Sequence, residues 1–186
     1  MKTILLFASG AGSNVAAILR QLKGNPEYHF PLILTNNPKA GVIELAKQEG
    51  IDVMVFDRET FQSPVFIDTL DFYQPDLLVL AGFLWKIPEY LVKAYRNKIV
   101  NIHPALLPKF GGKGMYGHHV HEAVIAAGEK ESGISIHLVN EHYDEGTLLL
   151  QKTVTIEPSD TPDTLAKKVL ALEHEWYAKV IQNVLK

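Results

Sequence analysis

An amide, an imidazole and a carboxylate stand in this chain where strands give way to loops. Lys98-Ile-Val-Asn-Ile-His103-Pro104 is an apolar run stopped by proline, so Asn101 and His103 fall at the carboxyl end of a strand. Gly133-Ile-Ser-Ile-His-Leu-Val139 alternates like another strand and leads into His142-Tyr-Asp144-Glu-Gly146. Ligands of α/β sheets bind outside the carboxyl ends of strands, so Asn101, His103 and Asp144 can meet in one crevice. Together they suit acyl transfer: Asn101 donates to a developing oxyanion, His103 shuttles a proton, and Asp144 orients and charges the imidazole. A carboxylate favours the imidazolium, so Asp144 is expected to raise the His103 pKa and keep more of the ring protonated near neutrality. Taken singly, each residue is equally an ordinary strand terminus whose polar group satisfies the backbone.

Other side chains border this set. Ser135 and His137 project from one face of their strand, opposite Ile134, Ile136 and Leu138, and both line the crevice if that face looks into it. Ser135, His137 and His119 are candidates for supporting the set. Eight histidines raise the question of a metal, and His118 and His121 have helical i,i+3 spacing. With no His-Glu-x-x-His, no paired carboxylates and no cysteine, no metal is expected.

The positioning elements are those of an α/β sheet. Ile4-Leu-Leu-Phe-Ala8 is a continuous apolar run, followed by Ser9-Gly-Ala-Gly12-Ser13-Asn14 and then by a helix with apolar residues at 15, 18, 19 and 22. Strand, glycine turn and helix start make an anion cradle, with Ser13 and Asn14 adding donors; a tight turn needing glycine for its backbone fits equally well. Val15 replaces the third glycine of a dinucleotide fingerprint and there is no Walker lysine, which leaves room for a single phosphate group. Pro31–Thr35, Val53–Phe56 and Leu77–Ala81 read as further strands, and Ala40–Glu49 as a helix ended by Gly50. Residues 62–74 are weakly helical. Phe83-Leu-Trp85-Lys-Ile87-Pro88 either walls a pocket for a flat ligand or packs on the helix that follows. Pro108–Gly117 holds four glycines in ten residues and reads as a mobile loop carrying Lys109 and Lys113. The C-terminal helix starts at the cap Thr161 with Pro162 first, and Leu165, Val169, Leu172, Trp176 and Val180 form its apolar stripe, bordered by Glu173 and His174 at a solvated edge or beside the crevice.

Composition bounds the rest. A length of 186 residues with 47% apolar content is expected to form one domain, residues 1–186. Eighteen basic against twenty-one acidic residues, net charge −3, supply no field to recruit nucleic acid or an anionic membrane. Absence of cysteine excludes disulfides and thiolate chemistry. The apolar start is too short for a signal peptide and no stretch approaches a membrane span, so a cytoplasmic protein is expected.

Six short motifs, in order, carry a resemblance to the formyltransferase family over nearly the whole chain. They are Ser9-Gly-Ala-Gly-Ser-Asn14, Leu80-Ala-Gly-Phe83, Asn101-Ile-His-Pro-Ala-Leu-Leu-Pro108, Gly133-Ile-Ser-Ile-His137, Asp144-Glu-Gly146 with Gln151, and Glu173-His174. The resemblance implies a Rossmann-like open, mostly parallel sheet with helices on both faces and an antiparallel strand pair toward the C-terminus. It further implies transfer of a formyl group from 10-formyltetrahydrofolate to the amine of glycinamide ribonucleotide, in purine synthesis. By position, Gly12, Ser13 and Asn14 would hold the phosphate and Glu173 the ribose or glycinamide end. Asn101, His103 and Asp144 would be catalytic, while Leu84, Trp85, Lys86 and Ile87, with Asn101 and the loop from Asn140, would take the folate. Leu84-Trp-Lys-Ile87 replaces the family's usual Met-Arg-Ile-Leu, and the glycine loop is longer than usual. The partners implied are small molecules, with no nucleic acid or membrane, for a monomer or homodimer. Members that formylate aminoacyl-tRNA need an added domain and a more basic surface. The runner-up activity is hydrolysis of formyl-folate, as in the deformylases, and a non-catalytic phosphate-binding module is a second alternative.

Overall fold

Ile4-Leu-Leu-Phe7 and Leu77-Leu-Val-Leu80 contain no polar residue and are buried throughout, the pattern of strands covered on both faces. In the computed structural model, which describes residues 1–186, they lie in β1 (Lys2–Phe7) and β4 (Leu77–Leu80), parallel neighbours at the centre of a seven-stranded sheet. The remaining strands are β2 (Tyr28–Thr35), β3 (Asp52–Val55), β5 (Ile99–His103), β6 (Glu131–Leu138) and β7 (Leu148–Thr155), in the spatial order β3-β2-β1-β4-β5-β6-β7. Strands β1 to β5 pair in parallel; β6 runs antiparallel to both β5 and β7. Strand order reverses direction between β1 and β4, the switch point beside which an α/β sheet leaves a crevice.

The pleat sends alternate side chains into two cores. On one face Ile4, Leu6, Val79, Val100 and Ile102 pack under α1 (Ser13–Leu22), α2 (Val42–Glu49), α6 (His118–Ala126) and α7 (Pro162–Val184). On the other, Leu5, Phe7, Leu78, Leu80 and Ile99 pack under α3 (Arg58–Gln62), α4 (Phe66–Asp71) and α5 (Glu89–Ala94). No helix is long and apolar enough to cross a membrane.

Three local readings change. Residues 62–74 span the end of α3 and the whole of α4 rather than one weak helix: Asp57 caps α3 by accepting from the Thr60 N–H at 2.8 Å, and Pro64 lies between α3 and α4. Strand β7 is unread in the sequence because Leu148 and Leu149, at its start, are exposed and blur the alternation. In α7 the buried line is Leu165, Val169, Glu173, Tyr177 and Ile181, while Leu172 and Trp176 are only half-buried. Spacing by four carries a carboxyl and a phenol into the interior, where the expected stripe had apolar residues. The Thr161 cap and Pro162 stand as expected, and Thr164 completes a capping box.

Tyr177 ties α7 to the sheet at the site end. Its fully buried hydroxyl lies 2.9 Å from the Leu80 carbonyl and 3.0 Å from that of Val100, and its single hydrogen is shared between them. Tyr177→Phe keeps the ring and deletes this contact. It should lower the unfolding free energy by about 1–2 kcal/mol without altering the circular dichroism of the folded state. Denaturant unfolding measures this, and an unchanged midpoint would mean the two carbonyls are satisfied without the hydroxyl.

Candidate active site

Antiparallel register assembles the floor of the crevice. Asn101 sits opposite His137 and His103 opposite Ser135. The Asn101 amide nitrogen is 3.2 Å from His137 Nε2, and His137 Nδ1 is 3.0 Å from the Leu138 carbonyl. A carbonyl only accepts, so the ring proton is on Nδ1 and Nε2 accepts from Asn101. One of the two amide hydrogens of Asn101 is left free.

Asp144 arrives from the β6–β7 connection. Its backbone is left-handed, φ 55°, a conformation that Asp and Asn tolerate better than most residues. Two residues on, a Cβ at Gly146 would overlap the Leu138 carbonyl, so only glycine lets the chain return this closely. The Gly112 N–H donates to Asp144 Oδ2 at 2.9 Å. Oδ2 stands 3.7 Å from His103 Nδ1, and Oδ1 stands 3.6 Å from His137 Nε2. Thus the carboxylate faces two buried imidazoles at ion-pair distance without hydrogen-bonding either.

The far side of His103 is held by the glycine-rich loop. Its Nε2 lies 2.7 Å from the Phe110 carbonyl, which places the proton on Nε2 and turns the Nδ1 lone pair toward Asp144. Phe110 itself has φ 54°, costly for a bulky residue, so the strained position in the loop is the one whose carbonyl reaches the imidazole. Burial lowers the His103 pKa; Asp144 and the Phe110 carbonyl pull it up, His137 pulls it down, and the net direction is down. The expectation that Asp144 keeps the ring protonated is corrected here: its effect has the expected sign, but a ring only 4% exposed loses more by desolvation. Burial pushes the Asp144 carboxyl up, yet the His137 ring, the charge of His103 and the Gly112 N–H outweigh it and hold the group below the ordinary carboxylate range.

These residues open into a cavity of about 710 Å³. One end is walled by Gly10, Asn14, His121, Val169 and Glu173, from the α1, α6 and α7 face. The other is walled by Leu84, Trp85, Lys86, Ile87, Val139 and Asn140. At the first end Glu173 is 7% exposed, which overturns the solvated edge. It accepts a 2.6 Å hydrogen bond from Asn14 Nδ2, and burial, only partly opposed by that bond, pushes its pKa up to about 7. One N–H of the Asn14 amide is therefore committed to Glu173. Gly12 is left-handed, φ 81°, and Ser13 is exposed; both flank the cavity, whose wall here is Gly10 and Asn14. No side chain caps α1, so its first N–H groups are unclaimed by a cap.

At the second end both readings of residues 83–88 hold. Phe83 packs in the core 5.5 Å from the Phe7 ring, while Leu84 to Ile87 all reach the cavity. The Arg58 guanidinium lies 4.6 Å over the Trp85 ring, and the Lys86 ammonium 5.4 Å over that of Tyr143. Asn140 shapes the loop as well as lining the cavity, donating to the Glu145 carbonyl at 3.1 Å and accepting from the His142 N–H at 2.9 Å.

Two expected supporting residues are placed elsewhere. His119 is exposed, 3.1 Å from Glu122, and lies off the cavity wall. Ser135 is enclosed behind the floor: it accepts from the Leu107 N–H and from Gln151 Nε2, both at 2.9 Å, and donates to the Ala105 carbonyl at 2.7 Å. Gln151 also donates to the Leu107 carbonyl at 2.8 Å, so the pair pins the segment after His103. Sequence reasoning missed this clamp and the placement of His121; the signal for His121 was its position between Val120 and Val124, the buried residues of α6.

Comparison with known proteins places the chain in a family. The family model described as formyl transferase matches residues 2–181. The chain is 42% identical to the chloroplastic phosphoribosylglycinamide formyltransferase of Arabidopsis thaliana, over 97% of its own length and 64% of that protein's. It is 36% identical to the phosphoribosylglycinamide formyltransferase of Bacillus subtilis, over 100% of this chain and 95% of that one. Among solved structures, the phosphoribosylglycinamide formyltransferase of Bacillus Halodurans superposes with a TM-score of 0.89 at 37% identity, covering 100% of this chain and 96% of that one. With the family model matched over residues 2–181 and relatives similar over nearly the whole length, this chain belongs to the formyl transferase family.

Proposed function

We propose that this protein transfers a formyl group from 10-formyltetrahydrofolate to the amine of glycinamide ribonucleotide, in the cytoplasm and without a metal. The observation that carries the reading is the contact of Asn101, His103, His137 and Asp144 at the floor of a cavity with two unlike ends. The end with the free α1 N–H groups, Asn14 and Glu173 suits a phosphorylated, hydroxyl-rich acceptor; the end with Leu84 to Ile87 and Val139 suits a flat folate ring. The names of the relatives in Bacillus subtilis and Arabidopsis thaliana point the same way.

Chemistry follows from the protons. The amine nitrogen bonds to the formyl carbon and the carbonyl electron pair moves onto oxygen, where the spare Asn101 N–H stabilises it. When the bound amine takes the place of the Phe110 carbonyl at His103 Nε2, that nitrogen gives up its proton to water and Nδ1 takes one up on the side of Asp144, which leaves a lone pair on Nε2. The neutral ring takes one proton from the attacking nitrogen and returns it to the departing folate nitrogen as the carbon–nitrogen bond breaks. A lowered His103 pKa suits a shuttle that starts neutral. His137 hydrogen-bonds the Asn101 amide and fixes its direction.

Purified protein should consume the formyl donor rapidly only when glycinamide ribonucleotide is present. Equal rates with and without the acceptor would identify a hydrolase. Asn101→Ala should reduce kcat roughly a hundredfold to a thousandfold, the usual cost of one oxyanion donor, with the fold intact. Near-wild-type turnover in a folded Asn101→Ala protein would remove the amide from the mechanism.

Asp144→Asn suits the left-handed backbone and keeps the shape while deleting the charge and turning one acceptor oxygen into a donor. Because Asp144 raises the His103 pKa against burial, the variant should titrate His103 at lower pH still, and turnover should fall by about a hundredfold or more. NMR titration of the ring is the direct measurement. An unchanged or higher midpoint would sink the pairing.

A further inference from the structure

His121 is the buried imidazole that this chemistry leaves unused. It sits in the first turns of α6, is 6% exposed, and stands on the cavity wall with Pro104, Val169 and Glu173. The other two buried rings are each oriented by a backbone carbonyl, His103 by Phe110 and His137 by Leu138. His121 has no such anchor: its Nδ1 is enclosed and without a hydrogen-bond partner. Leaving such a group unmet costs stability, which folding has no reason to give up at a position with no task. Asn14 Oδ1, on the wall at the same end, is enclosed and unpartnered too, since only its Nδ2 meets Glu173.

The chemistry of these unmet atoms selects a ligand. Asn14 Oδ1 can only accept, and a neutral imidazole keeps one nitrogen that only accepts. Burial, with His118 and His103 nearby, holds the His121 pKa down, so the neutral ring prevails. A phosphate dianion has no hydrogen to give either atom. Hydroxyl and amide N–H groups do, and they lie between the phosphate and the amine of a glycinamide nucleotide. No hydrogen bond fixes Nδ1, so a half-turn of the ring loses none there and can present a nitrogen to the cavity.

We propose that His121 is an acceptor-binding residue, taking a hydrogen bond from a hydroxyl or amide N–H on the segment between the phosphate and the amine. This rests on the reading of the site as one for a phosphorylated amine. On that basis His121 contributes to acceptor affinity and specificity, while the folate end and the bond-making set are independent of it.

The test uses the full chain and glycinamide ribonucleotide as the probe. In calorimetric titrations without folate, His121→Leu should weaken acceptor binding about threefold to tenfold, the worth of one neutral hydrogen bond. The acceptor KM should rise in step, kcat should stay within about threefold, and the KM for formyl-folate and the affinity for inorganic phosphate should not move. His121→Asn, which keeps an accepting group, should recover part of the loss. In the wild type, the ring nitrogens of His121 should shift in ¹⁵N NMR on addition of the acceptor, a readout that needs no substitution. Wild-type affinity in a folded His121→Leu protein, or unmoved His121 resonances on saturation, overturns the proposal. So does a parallel loss of phosphate and folate affinity, which marks a structural role. If wild-type protein fails to bind glycinamide ribonucleotide at all, the parent reading fails, and the inference with it.

Discussion

One carboxylate facing two buried imidazoles is the constraint on which the site depends. Asp144 stands 3.7 Å from one ring and 3.6 Å from the other, close enough for its charge to favour the protonated form of each. That influence depends on the carboxylate being held at this distance in a site with little water. The fold accordingly fixes it from three sides. Gly146 lets the chain fold back against Leu138, the left-handed backbone at Asp144 aims the side chain inward, and the Gly112 N–H holds one oxygen. Gly112 belongs to the glycine-rich loop, as does Phe110, whose carbonyl holds the opposite side of His103. One loop therefore touches both members of the pair, and its root is pinned by Ser135 and Gln151. A displacement of that root would move the Phe110–His103 and Gly112–Asp144 contacts at once.

The two unlike ends of the cavity follow from the sheet having two faces. Helices α1, α6 and α7 cover one face and bring Asn14, His121 and Glu173 to its rim; the chain leaving β4 toward α5, on the other face, brings Leu84 to Ile87. Strand β5 lies between, so Asn101 and His103 at its end address whatever binds from both sides. Reversal of β6 matters here. Had β6 run parallel, its carboxyl end would lie at the same rim as that of β5; running antiparallel, it places His137 beside Asn101 and Leu138 beside Val100, and the connection to β7 then brings Asp144 back to His103.

Much of this was legible in the residues. Continuous apolar runs marked the central strands, Gly50 closed α2 in the left-handed conformation, and Thr161 with Pro162 opened α7. Asn101, His103 and Asp144 stood out as a set, an amide, an imidazole and a carboxylate near strand ends, and the structure brings the three to one cavity. What stayed hidden depends on tertiary burial. Glu173 and Tyr177 are polar letters on a helix, and only packing of α7 against the sheet turns them inward. The direction of the His103 pKa also escaped, because the sequence shows that a carboxylate is present and not how little water is left around the ring. Gln151 reads as a surface residue until β7 pairs it with Ser135.

Glu173 shows how such a site acts back on the fold. Its folded pKa near 7 lies above the ordinary value of 4.5, because burial disfavours the charged form more than the Asn14 hydrogen bond favours it. For a group shifted in this direction, the neutral form carries the stability. That contribution is complete below the unfolded value, erodes as pH rises between the two, and is gone above the folded value. Burial therefore keeps this carboxyl closer to its neutral form than an exposed glutamate would be, next to an Asn14 oxygen and a His121 nitrogen that have no partners. A ligand rich in hydroxyl and amide hydrogens relieves all three conditions together, since its donors meet the ionised carboxylate as well as the two acceptors. Binding such a ligand favours the charged form of Glu173 and draws its pKa back down, so acceptor binding near pH 7 releases a fraction of a proton from this position. The same burial that weakens the empty protein at higher pH is what makes the occupied end selective for donors over a bare anion.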